Sequence, residues 1–171
     1  MEKAVSPAVS REERLTGLVE KYQEMLLKTC FVYLKDQGLA RDAVQETFLK
    51  AYRGLEGFRG ESSEKTWLIR IAVNVCRSMT RSGWFRRVDR RFTPEELPAA
   101  PGETDETALD VMAAVMKLPA KYREAVTLYY WQGMTAVEIA AAVGTSQSTV
   151  SGRLKKARQM LRAALEGRDQ A

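Results

Sequence analysis

Histidine is absent from this 171-residue chain, and cysteine occurs only at Cys30 and Cys76. Without histidine there is no imidazole general base and no histidine-ligated zinc site. Two cysteines 46 positions apart make no disulfide framework; both lie on apolar helical stretches, as small core residues of a reducing compartment do. No uninterrupted apolar run approaches the roughly 18 residues of a membrane span. The opening MEKAVSPAVSREERL lacks the apolar core of a signal peptide, so a soluble, cytoplasmic protein is expected. No stretch alternates apolar and polar residues as a half-buried strand would, and no repeat recurs at a fixed period. No cofactor motif, metal-ligand spacing or nucleotide-hydrolysis motif is present, so neither a cofactor nor a metal is expected, nor a small-molecule substrate.

What remains is helical and moderately basic. Hydrophobic residues make up 45%, charged residues 29%, and the net charge of +5 favours a polyanionic partner. From Arg11 to about Lys35, Leu15, Leu18, Val19, Tyr22, Leu26, Thr29 and Cys30 form one apolar stripe, which Gly38 is expected to end. A second helix, from about Ala40 to Tyr52, buries Val44, Phe48 and Ala51 and presents Asp42, Gln45, Glu46 and Lys50. Arg53 to Glu64, rich in glycine and serine, reads as a loop. A third helix, from about Lys65 to Arg81, turns Leu68, Ile71, Ala72, Val75 and Met79 inward. Its other side carries Trp67, Arg70, Asn74, Arg77 and Arg81 at spacings of three and four. A ring, an amide and three guanidiniums on one stripe suit stacking, base-edge hydrogen bonds and phosphate contacts together.

Arg86, Arg87, Arg90 and Arg91 follow, flanking Trp84 and Phe85. The composition then reverses: Phe92 to Asp110 holds six acidic residues, three prolines and no Lys or Arg, the composition of a linker. A helix from about Glu106 to Lys117 is broken at Leu118-Pro119. Another, from about Ala120 to Gln132, is expected to bury Ala125, Val126, Leu128 and Tyr129, with Trp131 a further candidate, and to stop at Gly133.

Met134 to Leu161 reads as two helices around a short turn. Thr135 and Glu138 form a capping box, Met134 and Ile139 a hydrophobic staple, and Gly144 the turn. Thr145 and Ser146 offer the second N-cap, and Val150, Leu154, Ala157 and Leu161 give the second helix one apolar face. Gln147, Ser148, Ser151, Lys155, Lys156, Arg158 and Arg162 lie opposite. This is a helix-turn-helix pattern, whose second helix enters the DNA major groove; an ordinary helical hairpin with a basic face has the same spacing.

Asp42 to Met79 (DAVQETFLKAYRGLEGFRGESSEKTWLIRIAVNVCRSM) followed by Leu118 to Leu161 (LPAKYREAVTLYYWQGMTAVEIAAAVGTSQSTVSGRLKKARQML) resembles bacterial RNA polymerase sigma factors of the extracytoplasmic function (ECF) type, over about residues 15 to 165. The resemblance implies an all-α chain of two domains, a region-2-like domain over 11–91 and a region-4-like domain over 106–167, joined by the acidic linker 92–105. It implies docking on core RNA polymerase through Asp42, Gln45, Glu46 and Leu49. Melting and reading of the minus-ten promoter element fall to Phe58, Trp67, Arg70, Asn74, Arg77 and Arg81, with Phe58 and Asn74 as pocket and edge reader for a flipped base. Reading of the minus-thirty-five element falls to Ser146, Gln147, Ser148, Thr149, Ser151, Arg153, Lys155 and Lys156. The family usually has Lys or Arg and then Ser where Ser151 and Gly152 stand here. Partners implied are core polymerase, promoter DNA and an anti-sigma factor, and no enzymatic activity. Two other readings stay open from the residues: a stand-alone helix-turn-helix regulator, and a metal-dependent nuclease built on Asp42 and Glu46.

Overall fold

The computed structural model describes residues 8–82 and 106–168, and all regular structure among them is helical. The expected linker 92–105 and the arginines at 86, 87, 90 and 91 lie outside the described residues. Helix α1 spans Arg11–Leu34, α2 Gln37–Gly54 and α3 Glu64–Thr80, with a short 3₁₀ turn at Leu55–Gly57. Helices α4 (Glu106–Met116), α5 (Ala120–Val126), α6 (Ala136–Val143) and α7 (Gln147–Glu166) follow. None of these helices is long and apolar enough to cross a membrane.

Local chemistry sets most boundaries. Ser10 and Glu13 form a capping box on α1, Ser63 caps α3, and Ser146 caps α7. The first boundary differs from expectation. Gly38 does not end α1; Lys35 does, in the left-handed conformation at φ 54°, and Gly38 lies inside the first turn of α2. Asp36 explains the shift, because its carboxylate accepts from the Leu39 N–H at 2.8 Å and starts α2 early. A Cβ on Gly38 would stand 3.3 Å from that carboxylate, so glycine leaves the cap its room. At the other end α2 runs two residues into the segment expected to be loop, and the 3₁₀ turn buries Leu55.

Helix α5 also departs from a simple continuation. It passes into a π turn at Thr127–Trp131, closed by the Gln132 N–H on the Thr127 carbonyl at 3.2 Å. The wider turn inserts a residue into the helical register. Tyr129 and Trp131, expected inside, are 37% and 40% exposed, whereas Gln132 turns inward. Its amide donates to the Thr29 hydroxyl at 2.8 Å, satisfying a buried polar pair between α1 and the π turn.

Helices α1, α2 and α3 pack on one another, and α4, α5 and α6 pack on α7. The two groups do not have separate cores. Helix α6 lies along α3 and α5 against α1, so Met116, Leu128, Ile139 and Val143 share one buried cluster with Leu26, Leu68, Ile69 and Val73. A smaller cluster of Val115, Leu118, Val126 and Ala157 sits under α4 and α7. Cys30 and Cys76, far apart in sequence, meet in the shared core. Hydrogen bonding to Cys30 and burial push the Cys76 thiol far above the usual thiol range, which leaves it unreactive.

Candidate nucleic-acid interface

Three surfaces carry the residues singled out from the sequence. On α2, Asp42 and Gln45 are exposed, Glu46 is half-buried, and Leu49 is 48% exposed. They share a face because their spacings of three and four return to one side of a helix. The face is acidic and amide, with a bare leucine at its C-terminal end.

The second surface is the 3₁₀ turn, the loop after it and α3. Phe58 stacks on Trp67 with ring centroids 4.5 Å apart and planes 22° from parallel. They form one wall of a cleft of about 520 Å³, which Arg59, Glu61, Ser62 and Arg70 also line. A second cleft of about 400 Å³, lined among others by Arg14, Lys21 and Glu64, shares the two rings. Aromatic faces beside guanidiniums can stack an unpaired base and pair its phosphate, and stacking on an aromatic contributes about 1–3 kcal/mol per base. Asn74 and Arg81 are exposed on the same stripe, but Asn74 lines neither cleft. Phe58 and Asn74, expected as pocket and edge reader, stand at separate places: a helix residue seven positions beyond Trp67 lies two turns, or about 10 Å, along the axis.

Arg77, on the same stripe, does not stand free: its Nε and Nη2 donate to Glu124 at 3.0 and 3.2 Å, and its Nη1 donates to the Val143 carbonyl at 2.7 Å.

The third surface is the start of α7. The Ser146 hydroxyl accepts from the Thr149 N–H at 3.2 Å and lies within 3.1 Å of the hydroxyls of Ser148 and Thr149. Gln147, Ser148, Thr149, Ser151, Lys155 and Lys156 are exposed, while Arg153 leans inward, 3.9 Å from Glu124. Gly152 is exposed, and a Cβ there would meet nothing within 4 Å, so packing does not demand glycine. Arg158 donates to the Tyr130 hydroxyl at 2.6 Å, tying α7 to the π turn.

The sequence reading missed Arg123 and Glu124, which are 8% and 6% exposed. Arg123 donates to the carbonyls of Val32 and Leu118 at 2.9 and 2.8 Å. Within KYREAV nothing but their place beside an apolar run marks them, because the surfaces that bury them come from α1 and α3.

Residues 18–86 match the family model for Sigma-70 region 2, and residues 108–161 that for Sigma-70 region 4. Over 163 residues the chain is 32% identical to the RNA polymerase sigma-H factor of Pseudomonas aeruginosa, across 87% of this chain and 84% of that protein. Over 164 residues it is 31% identical to the ECF RNA polymerase sigma-E factor of Haemophilus influenzae, across 84% and 83%.

The chain belongs to the ECF sigma factors.

A sigma factor of the sigma-70 family is a transcription initiation factor that directs RNA polymerase to promoters, and nothing in these matches names a catalytic activity or favours a stand-alone regulator. The fold of this sigma factor is also similar to solved ones. One is RpoE of Bartonella quintana in complex with the anti-sigma factor NepR, at 25% identity and a TM-score of 0.76, over 90% of this chain and 98% of that one. Another is CnrH in complex with the cytosolic domain of CnrY, at 27% identity and a TM-score of 0.68, over 91% and 90%. Both superpositions span the two sigma regions. Among the described residues no three His, Cys, Asp or Glu side chains converge where a metal ion could be held, Asp42 and Glu46 included.

Proposed function

We propose that this ECF sigma factor docks on core polymerase through Asp42, Gln45, Glu46 and Leu49, opens the minus-ten element with residues 58–81, and anchors upstream with the start of α7. The Phe58–Trp67 stack beside its cleft carries the proposal. Opening duplex DNA without hydrolysis needs a trap for an unpaired base, and an aromatic wall with a cavity beside it is that trap. Arg70, Asn74 and Arg81 continue the surface along α3 for phosphate and base-edge contacts, and Arg77 joins them once released from Glu124. On α7, Ser146 to Thr149 and Ser151 face the groove, with Lys155, Lys156 and Arg153 on the phosphates.

The region-2-like domain is 11–91, the linker 92–105 and the region-4-like domain 106–167. The acidic linker imitates nucleic acid in a basic channel of the polymerase. The protein acts in the cytoplasm, is not itself an enzyme, and is held in check by an anti-sigma factor, as RpoE of Bartonella quintana is found in complex with one. In vitro transcription with core polymerase and a promoter library tests this. Start-site-specific transcripts that depend on the protein, and fall sharply with Phe58→Ala, are expected. No specific transcript from an active core enzyme over a broad library would overturn the reading.

A further inference from the structure

Glu124 stands where the two promoter-reading surfaces meet. Its side chain is 6% exposed. One carboxylate oxygen accepts from Arg77 Nε at 3.0 Å and from the Tyr33 hydroxyl at 2.8 Å. The other accepts from Arg77 Nη2 at 3.2 Å, with Arg153 Nη1 3.9 Å away. Burial and the neighbouring carboxylate push the Tyr33 phenol well up, so it stays a donor at neutral pH. The two-pronged pair that Arg77 makes with this carboxylate is the pair a guanidinium makes with a phosphate.

The rest of the junction is closed along its length. At the start of α3 the Thr66 hydroxyl donates to Glu138 at 3.0 Å, and at its end Arg77 reaches the Val143 carbonyl, so α6 covers the flank of the stripe between them. Gln132 to Thr29 and Arg123 to the Val32 carbonyl add two contacts against α1. With α3 packed on α6, the stripe on α3 and the start of α7 are held at one fixed separation.

We infer that Glu124 is an autoinhibitory clasp: in the free chain it occupies Arg77 and Arg153 in place of DNA phosphates and, with the shared core, keeps the two regions shut. The inference rests on the reading of these two arginines as DNA contacts. Opening exchanges one oxyanion partner for another, so the half-buried guanidiniums are never left unpaired. A buried ion pair adds little net stability over apolar packing and is costly only when one partner is lost without replacement. The clasp is thus weak toward a polyanion that replaces Glu124 and firm without one.

The test uses the full chain and Glu124→Gln, which keeps the shape and removes the charge. Small-angle scattering reads compaction, and fluorescence anisotropy with a labelled 20-base-pair duplex of arbitrary sequence reads the release of the arginines. A closed chain of this length has a radius of gyration of about 16 Å. The shared core still holds the free variant closed. The variant is expected to expand on duplex at a lower duplex concentration than the wild type, and to bind with a salt slope steeper by roughly one to two as freed arginines meet phosphates. Expansion at the wild-type duplex concentration and an unchanged slope, with the wild-type circular dichroism, would overturn the clasp. If the variant does not fold, scattering from the wild type alone decides: compact when free and expanded on duplex supports the clasp, and expanded when free, or compact in both, rejects it. Failure of the sigma reading would show separately, as absence of transcripts from the wild type.

Discussion

Arginine at 77 has a reason that lysine does not share. It grips both oxygens of Glu124, and only the guanidinium offers paired donors in a fixed plane. Asn74 is the contrasting case on the same stripe, exposed and equipped to pair with a base edge. Asn74→Ala should reduce open-complex formation, read by permanganate reactivity of unpaired thymines, by about tenfold, the worth of one base contact of 1–3 kcal/mol. Its binding to core polymerase should not change. Equal losses in both assays would remove Asn74 from base reading. The stripe itself was legible, because spacings of three and four place five unusual residues together. Arg77's present partner was not, since Glu124 lies 47 positions away and nothing in sequence pairs them.

At the scale of the element, α6 and α7 follow from local rules. Thr135 and Glu138 form the expected capping box, Gly144 takes φ 70°, and Ser146 caps α7. The two glycines of this motif should then respond in opposite directions. Gly152 is mid-helix with open space around it, so Gly152→Ala should stabilise the chain by up to about 1 kcal/mol. For a chain of this size that raises the melting temperature by about 2–4 °C. Gly144→Ala places a Cβ in the left-handed region and should destabilise by about 1–2 kcal/mol. Calorimetry on both variants checks the pair, and two shifts of the same sign would contradict it. If Gly152 is there to let DNA approach the backbone, Gly152→Ala will also weaken upstream promoter binding while raising stability. The π turn is the element that local rules did not reveal. Apolar residues at Ala125, Leu128 and Tyr129 describe a plain helix equally well, and the inserted residue shows only in which side chains face outward.

The molecule as a whole behaves differently from two beads on a string. Ile139, Val143 and Leu128 share their buried cluster with residues of α1 and α3, so each region completes the other's core. A fragment of residues 106–168 should therefore melt at a lower temperature than the same region in the intact chain, read by circular dichroism and hydrogen exchange. Equal stability would mean that the contact surface contributes nothing. A stand-alone regulator would keep its fold and its footprint after loss of residues 1–91. This chain should instead gain promoter affinity when polymerase fixes the separation of its two readers, an effective-concentration effect.

The amino-acid sequence alone determined which stretches are helical, the caps of α6 and α7, the helix-turn-helix and the family, because capping and apolar periodicity act within a few residues. Tertiary structure alone decided that Cys30 meets Cys76, that the aromatic residues of the π turn face outward, and that Glu124 holds Arg77. Those outcomes depend on contacts such as Tyr33 with Glu124, 91 positions apart, and Gln132 with Thr29, 103 apart. Whether such groups meet is set by how the helices pack, and packing is a property of the folded surfaces that no local spacing encodes.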